Sequence, residues 1–143
     1  MDRETARRLI ERLNLDAERL ARRFGLRYRS ITAERAGVRS RYGVCYADGA
    51  IKIRLRHATT GRPLKYSSLV NTLCHELAHL RHFNHGPRFK AFYFEILDHA
   101  RAIGIYLPGR PQVVRPALPP PAPQRRATAA APAPAPVQLD LFG

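Results

Sequence analysis

The stretch "CHELAHLRHFNHGPRF", residues 74–89, carries four histidines and one glutamate within sixteen residues. It belongs to a predicted helix that Ser67 or Ser68 can cap and whose apolar stripe consists of Leu69, Leu73, Leu77 and Leu80. His75 and His79 are four residues apart, so on a helix they differ by about 40° around the axis and about 6 Å along it. Two imidazoles placed in this way can bind the same metal ion.

Glu76 directly follows the first of these histidines and lies about 60° from His79 around the helix. Its carboxylate can therefore reach a metal-bound water without binding the metal itself. The pattern HExxH describes this arrangement, which is typical of zinc hydrolases. We predict a Zn²⁺ site at which Glu76 is the catalytic base.

A catalytic zinc ion commonly has three protein ligands and a water molecule. The candidates for the third ligand are His82, His85, Glu95, Asp98 and His99. His82 lies about 10 Å along the axis from His75, which is too far for three imidazoles on one straight helix to converge well. Residues 84–87 (NHGP) break the helix, and the turn can bring His85 back toward the ion. We predict that the metal ligands are His75, His79 and His85.

The residues around this site resemble a known family. "LVNTLCHELAHLRHFNHGPRF" is similar to the SprT-like group of zincin metallopeptidases, together with the related WLM and YgjP-like domains. The upstream hairpin "SRYGVCYADGAIKIRL" extends the resemblance to about residues 38–106. It implies a zincin-like fold, zinc at His75, His79 and His85, catalysis by Glu76 and, in some members, action on DNA–protein crosslinks.

Two features depart from that family pattern. YgjP-like domains usually have Trp and Ser where this chain has Tyr42 and Val44. SprT proteins often end in a cysteine zinc ribbon, whereas this chain has no cysteine after Cys74. Because Cys74 lies beside the apolar stripe of the metal helix, we expect it to pack in the core rather than bind the metal.

The remaining pattern predicts one α+β domain, residues 1–107, in the order helix, three strands, helix, helix. Residues 2–25 are helical in pattern, as two helices or as one with a break near Asn14, and Asp16 can cap the second part. "LRYRSITAE" predicts a strand, and "VRSRYGVCYADGAIKIRLRH" predicts a hairpin at Asp48-Gly49. We expect a small three-stranded antiparallel sheet and a C-terminal helix whose core face is Phe89, Phe92, Ile96, Leu97 and Ala100.

The chain has 25 basic and 11 acidic residues, a formal net charge of +14. Such an excess is either a solubilising surface or the footprint of a polyanion such as nucleic acid. In the strand 50–57, apolar and basic residues alternate, so one face should pack and the other should present cations. The same strand is a candidate for pairing with an extended substrate. We predict DNA or substrate contacts by Arg41, Lys52, Arg54 and Arg56.

The composition changes near residue 108. Residues 108–137 hold ten of the twelve prolines, so we predict an extended, disordered linker. Large apolar side chains return in "QLDLFG", residues 138–143. "QLDLF" resembles the pentapeptide with which bacterial proteins bind the DNA polymerase sliding clamp. The resemblance implies that the clamp is a partner, contacted by Gln138, Leu139, Asp140, Leu141 and Phe142.

Together these features predict a zinc metallopeptidase that cleaves proteins bound or crosslinked to DNA while it is tethered to the sliding clamp. Two alternatives stay open: a metal-dependent hydrolase of nucleotides or other small molecules, and a non-catalytic adaptor that binds DNA and the clamp. Because the N-terminus is charged throughout and the sequence has no long apolar run, we expect no signal peptide and no membrane segment. We expect a cytoplasmic, nucleoid-associated monomer.

Overall fold

Three helices and a three-stranded sheet form the part of the chain that the computed structural model describes, residues 1–109. In chain order they are α1 (Arg3–Phe24), β1 (Ser30–Ala33), β2 (Gly43–Cys45), β3 (Ala50–Ile53), α2 (Tyr66–His79) and α3 (Pro87–Ala102). The α+β class and the predicted element order are confirmed. The predicted clamp-binding peptide and all but the first two residues of the predicted linker lie outside the described residues. None of these three helices is long and apolar enough to cross a membrane.

Helix α1 is continuous, so the expected break near Asn14 is wrong. The Asn14 side chain donates to the carbonyls of Ile10 and Ile31, at 2.9 and 3.2 Å, and thus satisfies its amide without interrupting the helix. Asp16 caps no second helix but accepts a hydrogen bond of 2.6 Å from the Tyr66 hydroxyl. This bond ties the middle of α1 to the start of α2.

The sheet is mixed, which corrects the prediction of an antiparallel sheet. Its strand order is β1-β3-β2: β3 is antiparallel to β2 and parallel to β1. The turn at Asp48-Gly49 encodes the β2–β3 hairpin locally. The hairpin then places β3, not β2, beside β1, and no local signal sets that choice. All three strands are also shorter than their sequence patterns suggested.

One face of the sheet is buried under α1 and α2. Ile31, Ile51 and Ile53 on this face are at most 3% exposed, while α1 packs on β1 and α2 packs on β2 and β3. Helix α3 packs against α2 and α1 in turn. Its predicted core face is confirmed, because all five of its residues are buried: Phe89, Phe92, Ile96, Leu97 and Ala100.

Helix α2 carries the metal-site pattern and differs from prediction at both ends. It begins at Tyr66 without a side-chain cap, so capping by Ser67 or Ser68 is wrong. It ends at His79, four residues before the expected end at residue 83. Leu69, Leu73 and Leu77 of the apolar stripe are buried as predicted, whereas Leu80 lies just past the end of the helix and is half-buried. Cys74 lies in the core with no exposed surface.

Candidate metal centre

The last turn of α2 and the loop after it bring three imidazoles together. One nitrogen atom from each of His75, His79 and His85 lies within 4.8 Å of the others, and His79 Nε2 is 2.9 Å from His85 Nε2. Nitrogens bound to one tetrahedral zinc ion at about 2.0–2.1 Å stand roughly 3.3 Å apart, so these separations are of the size that one ion requires. Within residues 1–109, no other group of His, Cys, Asp and Glu side chains converges in this way.

The position of His85 depends on how α2 ends. The amides of Leu80 and Arg81 donate to carbonyls three residues earlier, both at 3.1 Å, and this tightens the final turn. His79 Nδ1 then lies 3.0 Å from the backbone carbonyl of His82. His82 therefore contributes its carbonyl rather than its ring, and the loop returns His85 to the end of the helix.

The contact between His79 and His82 also sets the protonation of the His79 ring. A carbonyl oxygen only accepts hydrogen bonds, so Nδ1 of His79 carries the proton and donates it. The lone pair of Nε2 then faces His85. Histidines in metal sites usually have their second ring nitrogen bonded in this way, and the arrangement therefore fits a bound metal ion.

Phe89, in the first turn of α3, forms an apolar floor under the three imidazoles. Its ring centroid lies 4.9, 4.4 and 5.0 Å from those of His75, His79 and His85, and its side chain is 3% exposed. Burial lowers the pKa of His79 and, together with the neighbouring imidazoles, lowers the pKa of His85 to about 4. These rings are therefore neutral near pH 7, the state in which imidazole binds a metal.

The predicted catalytic base lies beside this cluster. Glu76 is 4% exposed, and its Oε2 is 3.2 Å from Nδ1 of His75. When ionised, the carboxylate accepts a hydrogen bond from that nitrogen, which leaves Nε2 of His75 with its lone pair available. The structure thus places Glu76 next to the three histidines; its role and theirs stay predictions.

Strand β2 passes so close to Glu76 that only glycine fits at position 43. A Cβ on Gly43 would lie 2.7 Å from Thr72 Cγ2, 3.1 Å from the Lys52 carbonyl oxygen and 3.2 Å from Glu76 Oε2. The sequence analysis missed this residue. Its signal was a glycine inside a strand pattern, which often marks a close approach of two segments.

The strand available for pairing beside Glu76 is β2. It lies at the sheet edge, whereas β3 is central and has neighbours on both sides. The prediction that residues 50–57 pair with a substrate is therefore wrong.

The hydrogen bonds of β2 show which of its backbone groups are directed outward. Those to β3 pair Tyr42 with Arg54 and Tyr46 with Ala50. Hydrogen-bonded pairs alternate with non-hydrogen-bonded pairs along an antiparallel ladder. Gly43 and Cys45 therefore direct their N–H and C=O groups away from β3. An extended peptide could pair with these groups.

Arg54 does not belong to an exposed row of cations, which corrects that prediction. It is 7% exposed, and its Nη1 donates to the carbonyls of Arg39 and Arg41 at 2.9 and 3.3 Å. Strand β3 ends at Ile53, and the segment 34–42 lies over the side chain of Arg54. The alternating pattern predicted its face correctly but not the segment that covers that face.

The other three predicted DNA or substrate contacts are partly exposed. Arg41 pairs with the buried carboxylate of Glu34 at 2.8 Å. Lys52 is half-buried, with its Nζ 5.9 Å from the centroid of the Tyr46 ring. Arg56 is also half-buried. The four predicted cations thus differ in their exposure and in their partners.

The close contact at Gly43 can be tested by substitution. We expect Gly43→Ala to lower the free energy of unfolding of the zinc-loaded chain by about 1–3 kcal/mol, because the added methyl group overpacks the contact between β2 and α2. Urea unfolding would measure the change. Gly37→Ala is the matched control, since a Cβ there meets nothing within 4 Å. Adding Thr72→Ser, which removes Cγ2, should recover part of the loss; an equal loss without that methyl would contradict the contact.

The choice of third ligand gives a second prediction. His85→Ala should weaken Zn²⁺ binding by more than about 100-fold, since loss of an outer partner alone costs about 10–100-fold. His82→Ala keeps the backbone carbonyl that orients His79 and should bind zinc like the unmodified chain. Competition with a chromophoric chelator would measure both affinities. Stronger loss in the His82 variant than in the His85 variant would refute the assignment.

Two solved structures from yeasts have a similar fold. The chain is similar to Wss1 from Saccharomyces cerevisiae, with a TM-score of 0.67 at 20% identity over 71% of this chain and 81% of that one. It is also similar to Wss1 from S. pombe, with a TM-score of 0.59 at 22% identity over 70% of this chain and 86% of that one. These similarities show the fold, and they confirm the zincin-like architecture that the sequence resemblance implied.

Sequence comparison identifies the family. A search of curated proteins finds no match. The family model described as "YgjP-like, metallopeptidase domain" matches residues 1–107. This match spans all six helices and strands and the histidine cluster, so the resemblance predicted from the sequence is confirmed for the domain. The chain belongs to the YgjP-like metallopeptidase domain family.

Proposed function

We propose that this protein is a zinc-dependent peptidase that cleaves proteins bound or crosslinked to DNA while its C-terminal peptide is docked on the sliding clamp. The peptidase part rests on one observation: the buried carboxylate of Glu76 lies between the histidine cluster and an open strand edge. The family supports a metal-dependent peptidase in general terms. The DNA-bound substrate and the docking on the clamp are proposals that the family match does not support.

The chemistry assigned to the site is metal-assisted hydrolysis. A zinc ion held by His75, His79 and His85 would supply Lewis acidity, which lowers the pKa of a water molecule and polarises a carbonyl. Glu76 would accept the proton of the attacking water and deliver it to the leaving amine. Phe89 would support this step by packing against the three imidazoles, and burial lowers the pKa values of His79 and His85.

The open edge of β2 favours a polypeptide substrate over a nucleotide. An extended peptide chain can add to a sheet edge through its own backbone N–H and C=O groups, which a nucleotide lacks. Because a Cβ on Gly43 would lie 3.2 Å from Glu76 Oε2, a peptide paired with this strand would pass close to the proposed catalytic base. The buried carboxylate also argues against a purely structural adaptor, which has no need of it.

The DNA part of the proposal rests on charge. The sequence of residues 1–107 has 21 basic and 10 acidic residues, so the domain alone has a net charge of about +11. A surface of this sign attracts the phosphate backbone of nucleic acids without selecting a base sequence. A peptidase with such a surface would act preferentially on proteins that are already on DNA.

Glu76→Gln tests the peptidase role. The variant should keep Zn²⁺ but lose about 10²–10⁴-fold in cleavage rate, since general base catalysis contributes that much. The measurement is proteolysis of a DNA-binding protein by the full chain, with and without single-stranded DNA, and with metal content determined in parallel. Glu95→Gln, on the exposed side of α3, is the charge-matched control and should retain activity. Hydrolysis of a nucleoside triphosphate without proteolysis would instead support the small-molecule alternative.

Removal of residues 138–143 tests the tether. A flexible linker raises the local concentration of a domain near the partner of its peptide, so docking through Leu141 and Phe142 would hold the peptidase at the clamp. Immobilised clamp should retain the full chain and release the truncated one. Leu141→Ala with Phe142→Ala should behave like the truncation, whereas Val137→Ala, just before the motif, should not. Equal retention of the full and truncated chains would remove the clamp from the proposal.

A further inference from the structure

A cavity of about 250 Å³ lies between the start of α1, the segment after β1 and the loop after β3. Its lining includes the loop 57–61 and five charged residues: the arginines Arg35, Arg39, Arg54 and Arg56, and the glutamate Glu34. We propose that this cavity binds a phosphate group. The site would be separate from the metal centre and does not depend on the proposed function.

Arg54 carries the argument for an anion. Its side chain is 7% exposed, and within residues 1–109 no acidic side chain forms an ion pair with it. Both of its hydrogen bonds are donated by Nη1 to backbone carbonyls, and Nε is buried without a partner. A buried cation that lacks a counter-charge is costly. An anion in the cavity would relieve that cost.

Glu34, the acidic residue of the lining, is already engaged elsewhere. Its carboxylate accepts hydrogen bonds from Nε and Nη2 of Arg41, at 3.0 and 2.8 Å, and from the amide of Arg35 at 3.2 Å. Arg41 is not part of the lining and neutralises Glu34. The four lining arginines are therefore left without a matching negative charge in the cavity.

The donors favour phosphate over a carboxylate. A guanidinium is a planar fork that matches the oxygens of phosphate, and a phosphate group offers at least three acceptor oxygens to several arginines at once. Thr59 and Thr60 in the adjacent loop add hydroxyl groups to the wall. A volume of about 250 Å³ is several times the roughly 30 Å³ that one water molecule occupies, so the cavity has room for such a group.

An exposed aromatic ring beside the cavity suggests that the phosphate belongs to a nucleotide. The Arg54 guanidinium lies 4.4 Å from the centroid of the Tyr42 ring, and Tyr42 is 52% exposed. One face of the ring is thus covered by a cation and the rest is open for stacking with a base. Free phosphate and the phosphodiester backbone of single-stranded nucleic acid share this chemistry, and the experiment separates them.

The cavity and the metal centre share no residue. Gly43, on β2, pairs with Ile53, and a Cβ on it would be directed at Glu76. Side chains alternate between the faces of a strand, so the next pair, Tyr42 and Arg54, lies on the opposite face. A ligand bound to Arg54 would leave the metal centre accessible.

The direct test follows the Nε–H group of Arg54 by NMR in the full, zinc-loaded, ¹⁵N-labelled chain, with Arg54→Lys used to assign the signal. Inorganic phosphate is titrated first, against chloride at equal ionic strength, and then a short single-stranded oligodeoxynucleotide. We expect a saturable shift of this signal. A shift with both probes would identify the phosphodiester backbone of nucleic acid as the ligand. A shift with phosphate alone would identify a small phosphate ligand. No saturable shift with either probe overturns the proposal.

Two variants distinguish specific binding of phosphate in the cavity from nonspecific attraction to a positively charged surface. Arg39→Ala removes an exposed lining guanidinium but keeps the carbonyl that Arg54 uses, and it should weaken phosphate binding roughly tenfold. Arg22→Ala makes the same charge change on an exposed position of α1 outside the lining and should leave binding unchanged. Equal weakening in both would overturn the proposal. Glu76→Gln should bind phosphate normally, so failure of this site and failure of the peptidase proposal give different results.

Discussion

The candidate metal centre depends on the packing of Phe89 against three imidazoles. The ring of Phe89 is anchored in the core by α3 and contacts His75, His79 and His85, which come from two different segments. Burial disfavours the charged imidazolium, and it is the main reason that the pKa values of His79 and His85 are lowered. His85 and Phe89 are four residues apart in sequence: His85 lies in the loop after α2, and Phe89 lies in the first turn of α3.

Helix α2 contributes both to the hydrophobic core and to the candidate metal centre. Leu69, Leu73 and Leu77 are buried in the core, while His75 contacts Phe89 of α3 and the carboxylate of Glu76 lies near Gly43 of β2. Any change in the distance between β2 and α2 therefore alters the surroundings of the Glu76 carboxylate. Gly43 permits this close approach, so a single backbone position links the packing of the sheet to the surroundings of the Glu76 carboxylate.

The spacing of apolar residues along the sequence predicted the features that depend on neighbouring residues alone. The spacing of the leucines predicted the buried stripe of α2, and the spacing of Phe89, Phe92 and Ile96 predicted the core face of α3, because a helix repeats every 3.6 residues. The same patterns could not predict the parallel pairing of β1 with β3, which depends on segments 20 residues apart. They also could not predict that the segment after β1 covers Arg54, or that α2 ends at His79 through backbone bonds in its last turn.

The described chain buries three charged side chains, Glu34, Arg54 and Glu76, and they differ in how they are compensated. Glu34 has a cation, Arg41, and Glu76 has an imidazole, His75. Arg54 has only two backbone carbonyls and the face of an aromatic ring. In a domain of this size the total stability is only about 5–15 kcal/mol, so an uncompensated buried cation is a considerable fraction of it. Because Glu76 and Arg54 lie on opposite faces of the same strand pair, the fold places a buried carboxylate beside the histidine cluster on one face and a cation that lacks a counter-ion on the other.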